Sequence, residues 1–145
     1  MGQSMTPSPV ELAQRGAAMA PDVADELSES FAEIARELLA GDVDTGLEHL
    51  AESLEPLQRF LTFLRIVVAE VRRSNGPLAA VVGDYRTRLV LLLDKVLACL
   101  DQRDLVGLTL ALEHGMAVAL ADYRRFSKRV EEGFVPAAVV RAAAA

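Results

Sequence analysis

Apolar residues recur three and four positions apart along most of this chain, the period of an α-helix with one buried stripe. Between Pro21 and Gly41 the stripe is Val23, Leu27, Phe31, Ile34 and Leu38, with Asp25, Glu26, Glu29, Glu33 and Glu37 on the opposite face. The pattern predicts a helix that opens at Pro21-Asp22 and stops at Gly41. A second seam begins at Leu47 and continues through Leu50, Leu54, Leu57, Leu61, Leu64, Val68 and Val71, about three and a half heptads. Pro56 interrupts it and removes one backbone donor, so a kink is expected there. The seam keeps its phase across the proline, which favours one kinked helix over two unrelated ones. Ser74-Asn75-Gly76-Pro77 closes it. Leu78, Val82, Tyr85, Leu89, Leu92, Val96 and Cys99 mark a third helix. Gln102-Arg103-Asp104 turns the chain, with Asp104 as N-cap. Leu105, Leu108, Leu112, Met116, Ala119, Tyr123, Phe126 and Val130 then mark a fourth.

No segment alternates with period two between hairpin signals. The expected fold class is all-α, an antiparallel up-down-up-down four-helix bundle with a kinked second helix. Residues 1–21 hold Pro7, Pro9, Gly16 and Pro21 and read as a flexible N-terminal arm. Residues 22–132 form the bundle. Residues 133–145 are a tail or a short packing segment.

The middle helices are apolar on more than one face. Phe60, Phe63 and Val67 add a second stripe to the second helix. Val90, Leu93, Leu97 and Leu100 do the same for the third, and Leu91 falls near its polar side. A helix in a lone bundle needs one such face. Leaving about 400 Å² of this surface wet forgoes roughly 10 kcal/mol of gross burial free energy at 25 cal/mol per Å². Phe60, Phe63, Val67, Val90, Leu91 and Leu93 are therefore the candidate partner-binding residues. A homodimer or a partner's amphipathic helix is the expected cover. The competing expectation is that the leader or the tail covers them.

The net charge of −6 hides an asymmetry: residues 1–55 carry 2 basic and 12 acidic side chains, whereas residues 56–145 carry 13 and 9. Up-down-up-down topology gathers Arg72, Arg73, Arg86, Arg88, Arg124 and Arg125 at one end of the bundle. They are a candidate site for an anion or an acidic partner. Pairing with the acids of the first helix, and bases favouring helix C-termini, offer a plainer account. The acidic balance argues against a general nucleic-acid binder. Tyr85, Tyr123 and Phe126 lie on the apolar stripes, where no base could stack on them.

Catalytic chemistry finds little support. His49 and His114 each follow a glutamate, but a di-metal bundle site uses Glu-x-x-His, and Gly46 and Ala111 occupy the ligand positions. One cysteine, Cys99, lies on the seam of the third helix, where burial makes a thiol inert. Glycine-rich phosphate loops, zinc-protease motifs and nucleophile elbows are lacking. The expectation is a protein that is not an enzyme and needs no cofactor and no metal. No uncharged apolar run approaches a bilayer-spanning length, and the opening MGQSMTPSPVELAQ lacks the layout of a signal peptide. A cytoplasmic setting is expected. Arginine outnumbers lysine 13 to 2, as in proteins of GC-rich, often bacterial, genomes.

The stretch Leu-Asp-Lys-Val-Leu-Ala-Cys-Leu-Asp-Gln-Arg-Asp-Leu-Val-Gly-Leu-Thr-Leu-Ala-Leu-Glu-His-Gly-Met-Ala-Val-Ala-Leu, residues 93–120, resembles the second hairpin of small bacterial helical bundles such as the flagellar export chaperones. The shared features are a helix, a short polar turn ending in Asp, and a leucine-rich helix. That family's opening, a Tyr-containing stretch before a Leu-Tyr-Asp-Gly-like element, has no counterpart here. The resemblance implies a class: cytosolic, non-enzymatic and partner-binding.

Overall fold

The computed structural model describes residues 8–133, all helical apart from tight turns. Its elements are α1 (Pro9–Leu39), α2 (Val43–Val71), α3 (Gly76–Asp101), α4 (Leu105–Leu110), a π-helical turn (Ala111–Met116), α5 (Ala117–Ala121) and α6 (Arg124–Gly133). The last four follow one another as a fourth rod. Contacts run around a ring, from α1 to α2, α2 to α3, α3 to the fourth rod, and the fourth rod back to α1.

The helix expected to open at Pro21-Asp22 starts instead at Pro9, so residues 9–21 are not an arm. The start is held by a capping box: the Glu11 backbone N–H donates to Ser8 Oγ at 3.2 Å, and the Ser8 N–H donates to Glu11 Oε2 at 3.4 Å. Pro9 fills the first helical position, where no amide donor is needed. Ala13, Ala17, Ala20 and Ala24, spaced four, three and four apart, are all buried. Small side chains let α1 lie close against its neighbours. Pro21 is carried inside the helix, and Pro56 inside α2, which runs unbroken from Val43 to Val71. Residues 1–7 and 134–145 lie outside the described residues, and with them most of the expected tail.

The turns follow their sequence signals. Gly41 takes φ +89°, a left-handed conformation that closes α1. Asn75 and Asp104 cap α3 and α4 by accepting from the N–H groups of Leu78 and Gly107.

The fourth helix departs from its expected single run. A π turn spans Ala111–Met116, and α5 gives way to α6 at Asp122-Tyr123. A π turn holds an extra residue and re-aims the stripe that follows. With it, Leu108, Leu112, Met116, Leu120 and Tyr123 are all fully buried. At the break, tighter bonds replace the helical ladder, from Tyr123 N–H to Leu120 O and from Phe126 N–H to Tyr123 O, each 3.2 Å. The Tyr123 ring thereby meets Phe60 and Phe126 edge-on, both at 5.2 Å between centroids, with Tyr85 at 6.0 Å.

The two tyrosines differ in one respect. Tyr85 Oη donates to Ala119 O at 2.6 Å, whereas Tyr123 Oη has no hydrogen-bond partner among the described residues. Burial pushes both phenols above the ordinary tyrosine value. A buried hydroxyl without a partner costs about 1–3 kcal/mol, while a made bond contributes about 1 kcal/mol. Urea denaturation of Y123F is therefore expected to show a gain of about 1 kcal/mol, and of Y85F a loss of about the same size. Equal losses in the two variants would show that Tyr123 Oη is satisfied.

Candidate functional site

The candidate apolar patch does not exist as one surface. Phe60 and Val67 are buried in the core; Phe63, Val90 and Leu93 are half-buried against it; only Leu91, 63% exposed, stands in solvent. The cover over α2 is α1 itself. Gly16 lies so close to Phe63 that a Cβ built there would stand 2.8 Å from the ring. The segment expected to be a mobile arm thus covers the second stripe of α2, while on α3 Leu91 and Leu97 stay exposed.

Leu97 of the expected third-helix stripe is exposed with Leu91, as are Met19 and Leu39 on α1, and the fourth rod adds further exposed apolar side chains. Val106 is 73% exposed, Leu110 52% and Val118 46%, along the solvent side of the fourth rod, away from Leu108, Leu112 and Met116. The three-and-four periodicity of this rod marks its inward stripe and carries no signal for its outer face. By length and composition alone Leu105–Gly133 could cross a membrane, yet much of its apolar content goes into the core of the bundle.

The basic end is largely engaged within the chain. Arg124 pairs with Asp25 at 2.5 Å and Asp22 at 3.3 Å, joining the fourth rod to α1. Arg88 pairs with Asp122 at 2.9 Å, Arg125 reaches the same carboxylate at 3.6 Å, and Arg86 donates to the Leu61 carbonyl at 3.0 Å. Of the six candidate arginines, Arg72 and Arg73 alone make no ion pair or side-chain hydrogen bond among the described residues.

A groove follows the α1–α2 seam, which the sequence reading did not find. Its first cavity, about 360 Å³, is apolar and lies among Met19, Ala20, Phe60 and Phe63. The next, about 180 Å³, shares Val23, Glu26 and Pro56 with the first. The last, about 230 Å³, is polar, with Glu33, Glu37, Ser53 and His49 on its walls. Here His49 Nδ1 stands 2.8 Å from both Glu37 carboxylate oxygens, tying α2 to the last turns of α1. His114 is exposed on the fourth rod, 4.0 Å from Glu113. Among the described residues no group of three or more His, Cys, Asp or Glu side chains could hold a metal. Cys99 is buried beside Leu100, Leu105 and Leu108, on the wall of a separate apolar cavity.

No protein family, curated protein or solved structure matches this chain.

Two measurements probe these contacts. Replacing Gly16 by leucine should push α1 off Phe63, raise hydrophobic-dye fluorescence and lower thermal stability. An unchanged melting curve would show that α1 does not pack there. Glu37, by its hydrogen bond, raises the His49 pKa above the ordinary histidine value. The stability this pair contributes is full below about pH 6.5 and is lost as pH rises through the higher folded value. H49Q should remove that decline above about pH 6.5. A wild-type stability curve already flat over this window would contradict the bond.

Proposed function

We propose that this chain is a non-enzymatic, up-down-up-down helical bundle that acts through protein–protein association, as a homodimer, an adaptor or an assembly chaperone. Short connections between rods favour antiparallel neighbours. So do two contacts along the α1–α2 pair, Gly16 near Phe63 and Glu37 with His49, which run in opposite numerical order on the two helices. The observation that carries the reading is the outer stripe of Val106, Leu110 and Val118, half or more exposed at two of its three positions. Val106 and Leu110 stand one turn apart, and Val118 follows beyond the exposed Glu113 and His114. Apolar side chains exposed along one rod of a bundle already closed around its own core favour a contact surface there. The likeness of residues 93–120 to the flagellar export chaperones supports the same class, and the arginine-rich, single-cysteine composition supports a bacterial cytosolic setting. Anion binding at the basic end is the weaker reading, because internal partners occupy most of its arginines.

Sedimentation of the purified chain tests the proposal. The wild type should self-associate or bind hydrophobic dye, and V106S/L110S/V118S should abolish this with helix content unchanged. A wild-type monomer that binds no dye would contradict it. Any binding to the basic end would betray itself by steep loss with salt, whereas apolar docking changes little.

A further inference from the structure

The seam between α1 and α2 carries a second surface, independent of the stripe on the fourth rod. On α1 it follows Gly16, Val23, Ser30 and Glu37, a heptad apart each time. On α2 it runs in the opposite numerical sense from Phe63 through Pro56 and Ser53 to His49. At 1.5 Å rise per residue the α1 side is about 32 Å long, the span of a six-turn helix. The middle cavity shares Val23, Glu26 and Pro56 with the first and Ser30, Glu52 and Ser53 with the last, so the three follow one another along the seam.

Its chemistry changes along its length. One end is lined by Met19, Ala20, Phe60 and Phe63, and Met19, 64% exposed, stands on the rim as an adaptable apolar contact. The other end presents Glu33, Glu37 and Glu52 beside Ser30 and Ser53. Glu26, Glu33 and Glu52 have no ion pair among the described residues, although other carboxylates of the same helices do. Arg59 is the one cation lining the three cavities apart from His49, and Glu55 already neutralises it at 3.3 Å. An apolar cleft that grades into unneutralised carboxylates is complementary to a helix with the opposite grading.

We propose that this groove docks a basic amphipathic helix of a partner protein. Leucine or aromatic side chains at one end of that helix would seat against Met19, Ala20, Phe60 and Phe63. Lysine or arginine side chains at the other end would meet Glu33 and Glu52. This rests on the association reading above but uses a different face of the molecule, so either can fail alone.

Selection from a phage-displayed library of helical 21-residue peptides against the full chain tests it. Enriched peptides are expected to carry Lys or Arg toward one end and Leu, Phe or Met toward the other. Their affinity should fall at least tenfold for E33K/E52K, which alters only exposed side chains, and for M19D, with helix content as in the wild type. The same peptides should bind V106S/L110S/V118S as they bind the wild type. An acidic or featureless selected set, no enrichment, or affinity within twofold for E33K/E52K would overturn the proposal. Two further outcomes would name a different occupant and overturn it too. If E33K/E52K turned a wild-type dimer into a monomer, the groove would hold a second copy. If peptides bound only after residues 134–145 were deleted, the chain's own C-terminal segment would hold it.

Discussion

The close approach of α1 to α2 is the constraint on which the rest depends. Phe60, Phe63 and Val67 give α2 more apolar surface than the axis of a bundle can take up. The first four turns of α1 cover that excess, because Ala13, Gly16, Ala17 and Ala20 present almost nothing beyond the backbone. Truncating a buried phenylalanine such as Phe60 typically costs about 3–5 kcal/mol, a large share of a domain's total stability. Had α1 begun at Pro21, those rings would face water. The same small side chains also leave the floor of a groove open, so closing the core and shaping a cleft have one cause.

Charge follows from this packing. The acids of α1 divide between those that meet the fourth rod and those that face outward. Asp22 and Asp25 meet Arg124, and Asp122 gathers Arg88 and Arg125, so three of the six arginines expected at that end have carboxylate partners within the chain. Surface pairs of this kind are worth about 0–1 kcal/mol each. Their consequence lies in what they leave unpaired. Those arginines take up Asp22, Asp25 and Asp122, while Glu26, Glu33 and Glu52 have no ion pair among the described residues and give the groove along the seam a negative lining.

Much of the fold was legible in the sequence, because leucine and valine at three-and-four spacing describe helices whatever their partners. Gly41, Asn75 and Asp104 ended and capped helices where their side chains and conformational preferences put them. Other features were hidden for identifiable reasons. Alanine is weakly hydrophobic, so Ala13, Ala17, Ala20 and Ala24 looked like filler. Pro9, Gly16 and Pro21 looked like breakers, although Pro suits a first helical turn and Ser8-Pro9-Val10-Glu11 spells a capping box. The π turn left no mark, since an extra residue in a helix is set by packing against other elements and not by a local sequence signal. The surface stripe of Val106, Leu110 and Val118 was invisible because periodicity reports the inward face. The groove is a property of two helices together, and neither strand of its residues carries a pattern alone.

Amide hydrogen exchange across residues 12–20 tests the docking of α1 most directly. The packing described here predicts protection there comparable with residues 27–38, lost only as the whole bundle opens. Exchange in residues 12–20 at the rate of an unstructured peptide, with residues 27–38 still protected, would contradict it and leave Phe60 and Phe63 in need of another cover.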